Sequence, residues 1–214
     1  MCFNTQLKSD VKTLEKRFKA KFNGDIPFIP NETINAFEFP LNPIITNTNP
    51  EIIQQFNWGF LPSWVNNISF RTNTLNAKIE TLKEKPSFKP YVNQRCLILA
   101  DAFYEWQWLD VKGKNKQKFK IKLYNNEPFA FAGLFNVWKN TKTNEFLNTY
   151  TILTTAANPL MEKIHNSKKR MPIILNEDCE TEYLQYGKTD FSKIDLVAEP
   201  ITKLNTSTQL GFDF

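Results

Sequence analysis

Apolar side chains recur at helical spacing near the N-terminus and at strand spacing through the second half of the chain. Val11, Leu14, Phe18 and Phe22 fall on one face of a helix that Ser9 or Asp10 can cap. Pro27, Pro30, Pro40, Pro43 and Pro50 then stand among asparagines, a pattern of short strands and turns. Segments 96–102, 118–123, 129–135 and 149–155 are rich in β-branched and aromatic residues and predict strands. Asn125-Asn126 predicts a hairpin turn between the second and third of these. Asn158 before Pro159 places an N-cap ahead of a proline at the first helical position. Asn176, Glu177 and Asp178 open another helix with a cap and acids in the first turn. No repeat, low-complexity run or linker divides the chain. The pattern predicts one α+β domain over residues 1–214, mainly antiparallel sheet in a barrel-like core, with a few short helices.

Composition narrows the possibilities. The 214 residues are 41% apolar and include nineteen Phe, enough for a sizeable core and incompatible with a disordered chain. None of the six glycines lies in a GxGxxG or GxxxxGK pattern, which argues against a phosphate-cradling loop. No run approaches the roughly 18 apolar residues of a membrane span, and MCFNTQLKSDVK has no signal-peptide character. Cys2, Cys96 and Cys179 are widely spaced and odd in number, so a reducing cytoplasmic setting without membrane contact is expected. One histidine and no CxxC leave too few ligands for a structural zinc site, and neither metal nor cofactor is expected.

The net charge of +5 changes the picture less than it promises. Lys112, Lys114, Lys116, Lys118, Lys120 and Lys122 occupy alternate positions, and without those six the chain has 21 bases against 22 acids. At period two they share one face of a strand. That face is either an edge strand protected from aggregation by its charge or a stripe that attracts phosphates.

Three residues carry candidate chemistry on their own type. Loss of Met1 would leave Cys2 with a primary amine and a thiol two carbons apart, both partly nucleophilic near neutrality. Such a pair suits aldehydes, the amine forming a Schiff base and the thiol closing a five-membered thiazolidine; the bland reading is an incidental cysteine. His165 lies near Lys168, Lys169 and Arg170, cations that favour the neutral imidazole a proton shuttle needs. In LILADAFYEW an apolar strand delivers Asp101, Glu105 and Trp106, with Asp101 and Glu105 pointing the same way if the strand is unbroken. Glu105 can serve as a general base or as a salt-bridge partner. Asn76, before AKIET, reads equally as a helix N-cap.

The order of several motifs is more specific than any one residue. MC at the start, WGFLPSW at 58–64, NAKIET at 76–81, PSFKPYVNQRCLILADAFYEW at 86–106, TILTTAAN at 151–158 and IHNSKKRMPIIL at 164–175 together resemble the SRAP (SOS-response-associated peptidase) family, with a weaker echo in PITKLNTST at 200–208. The resemblance implies a monomeric protein that binds single-stranded DNA and captures the aldehyde of an abasic site through Cys2. It implies that Glu105 orients or deprotonates the amine, that His165 moves protons, and that Asn76 holds the terminal cysteine or the nearby phosphodiester. It further implies that Trp64 stacks on a base and that Arg71, Lys78 and Arg170 contact phosphates. The family label adds self-catalysed removal of Met1. Asn4 stands where the family often has arginine, and Lys78 replaces a common arginine, keeping charge without bidentate geometry. Two other readings remain: a thiol peptidase with Cys2 as nucleophile, and a non-catalytic single-strand binding module.

Overall fold

The computed structural model describes residues 2–189 and 194–202; the part of PITKLNTST beyond residue 202 lies outside them. In chain order the elements are β1 (Asn4–Leu7), α1 (Val11–Phe18), β2 (Lys21–Phe22), β3 (Asn31–Asn35), β4 (Leu41–Thr46), β5 (Asn49–Trp58), β6 (Asn76–Lys78), β7 (Arg95–Ala100) and β8 (Ala102–Trp108). There follow β9 (Lys116–Leu123), β10 (Phe129–Lys139), β11 (Phe146–Ala156), α2 (Pro159–Ile164), β12 (Arg170–Pro172), β13 (Ile174–Leu175), α3 (Glu177–Tyr186) and β14 (Leu196–Ile201). The expected α+β class, with mainly antiparallel strands and few helices, is what the chain adopts.

Five of these strands close on themselves. The order β11-β10-β7-β4-β5 is antiparallel throughout, and a parallel pairing of Thr149 with Asn57 and Tyr150 with Trp58 joins β11 back to β5. Closure removes the free edges that a sheet would otherwise expose. At the seam the Trp58 and Tyr150 rings stack with centroids 5.9 Å apart. The polar tips of both rings are satisfied in the interior: Trp58 donates to the Leu75 carbonyl at 2.8 Å, and Asn42 donates to the Tyr150 hydroxyl at 2.6 Å. Gly133 allows the walls to approach, since a Cβ there would lie 2.2 Å from Ile98 Cδ1 and 2.5 Å from the Thr151 carbonyl.

A second sheet, in the order β14-β9-β8-β1-β3, packs beside the barrel. The chain passes from one to the other at Asp101, where the run that reads as one strand breaks into β7 and β8. The Asp101 carboxylate accepts hydrogen bonds from Ser9 N at 2.8 Å, Ser9 Oγ at 2.7 Å and Lys8 N, pinning the exit of β1. Asp101 and Glu105 therefore do different things, and the unbroken strand that was to align them is interrupted at Asp101.

Three further expectations need correction. The first helix stops at Lys19, which takes a left-handed conformation, so Phe22 belongs to β2 instead of the helix face. Asn125-Asn126 does turn the chain, with Asn126 at positive φ, but the strands it joins lie in different sheets and do not form a hairpin. β9 lies between β8 and β14, so its lysines do not guard an edge.

Candidate active site

Cys2 is fully buried immediately ahead of β1. β1 places it at the junction of the two sheets, because β1 pairs with β8 while Asn76 reaches it from β6, a strand laid along β11 of the barrel. Asn76 Nδ2 donates to the Cys2 carbonyl at 2.8 Å, and the Cys2 thiol faces the Asn4 carbonyl at 3.8 Å. Asn76 is thus a strand residue that holds Cys2; the helix-cap reading fails because β6 begins at Asn76. Its Oδ1 is buried and has no hydrogen-bond partner among the described residues.

Glu105 projects from β8 on the face opposite Tyr104 and Trp106. It is 4% exposed, and its carboxylate oxygen lies 3.9 Å from His165 Nε2. Burial raises the Glu105 pKa to about 7, with the positive charge of the amino terminus pulling the other way. The Cys2 thiol is pushed far above its ordinary value, first by burial and then by the charge of Glu105. That coupling ties the cysteine and the carboxylate into one electrostatic unit.

The Asn158-Pro159 start signal predicts a helix with His165 inside it; the helix ends at Ile164, and His165 is its C-cap. Its Nδ1 lies 2.8 Å from the Arg170 carbonyl and 3.3 Å from Arg170 N, which turns Nε2 toward Glu105. Burial lowers its pKa, and Lys168 adds a small push in the same direction. The downward direction is the one expected from the neighbouring cations, but desolvation leads it, the charge of the amino terminus comes next and Lys168 last.

Arg170 starts β12 and is held by two hydrogen bonds to Glu80, at 2.7 and 2.9 Å, and one to the Thr154 carbonyl at 2.8 Å. Thr154 pairs with Lys78 of β6 on one side and with Pro172 of β12 on the other. Lys78 and Arg170 therefore converge on the same point of β11, and Lys78 shares a face of β6 with Asn76. Glu80 and Thr154 were not legible as site residues by type. Glu80 does stand inside NAKIET, four residues after Asn76, where its spacing was a usable signal.

Arg71 and Trp64 come from the connection between β5 and β6. The Arg71 guanidinium stacks on Phe39 at 3.6 Å, and Gly59, at positive φ, makes room, since a Cβ there would lie 2.9 Å from Arg71 Cβ. Trp64 is 56% exposed, and its ring meets Phe70 edge-to-face at 5.4 Å. The backbone under it is firm: Trp138 Nε1 donates to the Val65 carbonyl at 2.7 Å and the Tyr91 hydroxyl accepts from Ser63 N at 2.6 Å. Cys2, Asn76, Glu105, His165 and Arg170 form one linked group through these contacts, with Lys78 adjacent. Trp64 and Arg71 belong to a separate loop.

A protein-family model described as SOS response associated peptidase (SRAP) matches residues 1–209. Abasic site processing protein YoqW of Bacillus subtilis (strain 168) is 42% identical over 158 residues, covering 73% of this chain and 68% of that protein. Abasic site processing protein HMCES of Xenopus tropicalis is 28% identical over 180 residues, covering 74% of this chain and 52% of that one. The crystal structure of a protein from Bacteroides thetaiotaomicron superposes with a TM-score of 0.83 at 30% identity, covering 94% of this chain and 92% of that chain.

Proposed function

The chain belongs to the SOS response associated peptidase (SRAP) family, and from that premise we propose that it processes abasic sites by capturing them in single-stranded DNA through Cys2. The observation that carries this reading is the grip of Asn76 on the Cys2 carbonyl, at 2.8 Å, in a residue electrostatically coupled to Glu105. Once Met1 is removed, the Cys2 amine starts from that fixed backbone.

The abasic sugar must first open from its ring to the aldehyde. His165 Nε2 accepts and returns the proton that this step moves, while its Nδ1 stays against the Arg170 carbonyl. Glu105, with its pKa near 7, takes a proton from the Cys2 ammonium and frees the amine to attack the aldehyde carbon. Loss of one water gives the Schiff base, and addition of the Cys2 thiol across the C=N bond closes the thiazolidine. The thiol proton passes to the ring nitrogen, so the sum is amine, thiol and aldehyde giving one ring and one water. A sugar held in this ring is no longer an aldehyde and does not lose its 3′ phosphate by β-elimination.

Trp64 stacks on a base, and Lys78 and Arg71 contact the backbone on either side. Arg170 is already paired with Glu80, so it contributes a phosphate contact only through the part of its guanidinium that Glu80 leaves exposed. A general thiol peptidase is less well supported. It calls for an accessible thiolate of depressed pKa, whereas Cys2 is buried with its thiol pKa raised.

The test uses a single-stranded oligonucleotide carrying one abasic site. The expected product survives SDS, has the summed mass less one water, and is absent in Cys2→Ala. Intact mass of the starting protein establishes that Met1 is gone. No adduct from Met1-free protein overturns the reading.

A further inference from the structure

Lys116, Lys118 and Lys120 stand directly opposite Trp108, Trp106 and Tyr104 across the β8–β9 ladder. Period two puts all six on one face of the sheet, the face opposite Phe103 and Glu105. The ammonium of Lys118 lies 4.1 Å from the Tyr104 ring centroid and 5.5 Å from that of Trp106, and the ammonium of Lys116 lies 5.4 Å from a Trp108 ring. At the margins of the face, Lys122 pairs with Glu199 and Lys8 with Glu32, each at 2.6 Å. Lys120 sits between these two acids and lowers the pKa of both, but ion-pairs with neither, and Lys116 and Lys118 have no carboxylate partner among the described residues.

The result is a row of three ammonium groups, none of them ion-paired among the described residues and one of them facing Glu199, beside half-buried indole rings, in the middle of a sheet instead of at its edge. Alternate residues of a strand are about 6.6 Å apart, comparable to the separation of neighbouring phosphates along a nucleic-acid strand. Aromatic faces interleaved with lysines are the two components of single-strand platforms. Although the face lies across the sheet from Glu105, its Trp108 end is tied to the capture site. Trp108 N donates to Asn166 Oδ1 at 3.0 Å and Asn166 Nδ2 donates back to the Trp108 carbonyl at 2.9 Å, tying the Trp108 end of β8 to the residue after His165.

We propose that Lys116, Lys118 and Lys120, with Trp108, form a second binding surface that holds the single strand flanking the reactive sugar. This rests on the abasic-site reading above, and adds to it a track for neighbouring nucleotides outside the pocket. The occupant is an unpaired strand, because indole rings between the lysines stack only on bases that are not already stacked in a duplex.

The experiment compares the parent protein with a Lys116→Gln, Lys118→Gln, Lys120→Gln triple variant. Binding of an undamaged oligothymidylate of about twenty nucleotides is measured as a function of salt, and capture is measured on an abasic oligonucleotide of about five nucleotides. Each phosphate contact contributes about 0.7 to the slope of log K against log salt for a single strand, so the triple variant should lose about 2 from that slope. Capture of the short oligonucleotide should be unchanged, and the matching Lys→Arg triple should keep the parent slope. An unchanged slope in the glutamine variant overturns the proposal while leaving capture intact. Failure of the parent to capture the short oligonucleotide overturns the abasic-site reading instead, and the slope still reports on this surface. Should the triple glutamine variant not fold, Lys118→Gln alone should lower the slope by about 0.7, and no change there counts against the proposal.

Discussion

A carboxyl group that is 4% exposed holds its proton up to about pH 7, and this is the price of Glu105's position. Its folded pKa is raised above the unfolded value, so its contribution to stability is present in acid, below about pH 4.5, and is lost as the pH rises through 7. The shift corresponds to about 3 kcal/mol. Replacing Glu105 with Gln should therefore leave stability near the parent's at pH 4.5 and raise it by up to that amount at pH 8, measured by urea denaturation at both values. Adduct formation should move the other way. The parent's rate should climb through pH 7 as Glu105 ionises, and the variant should lose that limb. At this scale the sequence was informative about type, the family resemblance added the partnership of Asn76 with Cys2, and the other partners were not legible. Cys2, Glu105 and His165 stood out by their chemistry. That Asn76 holds Cys2, or that Glu80 occupies Arg170, depends on contacts between residues 74 and 90 positions apart.

Elements begin where local chemistry says they should. Asp10 accepts from Thr13 N at 2.8 Å and Asn158 from Met161 N at 2.9 Å, so two of the three caps read from sequence are made by the side chain, whereas Asn176 stands at the N-cap of α3 without a side-chain cap hydrogen bond. How elements are tied together is another matter. Arg17 of α1 donates to both carboxylate oxygens of Glu180 in α3, at 2.8 and 3.1 Å, with both side chains largely buried. Removing one partner of such a pair strands the other charge in the interior. Arg17→Ala should cost about 3–5 kcal/mol in urea denaturation, and Arg17→Ala with Glu180→Leu should recover part of it. Nothing in the flanking sequence announced this bond, because its ends lie 163 residues apart. The strand segments from Cys96 onward were legible from their β-branched and aromatic content. Their pairings were not, and the supposed hairpin at Asn125-Asn126 shows why: a turn residue fixes where the chain bends, whereas the neighbour a strand meets is fixed by packing.

For the whole molecule the decisive joint is Asp101, which hands the chain from the barrel to the second sheet and fastens Lys8 and Ser9 at the exit of β1. Hydrogen bonds to a charged group are each worth about 1.5–3 kcal/mol. Asp101→Ala should lower stability by about 2 kcal/mol or more in a single urea transition, and should slow adduct formation as well, because β1 carries Cys2. The sequence by itself determined the class of fold, where the helices begin, the alternating lysines and the family to which the motifs belong. These rest on propensities and spacings within a few residues, which act before the chain is folded. Tertiary structure alone decided which five strands close the barrel, that the lysines line the middle of a sheet, and that Glu105 is buried against His165 with a raised pKa. Burial and through-space charge have no value until distant segments meet, and at this site they set what each side chain can do.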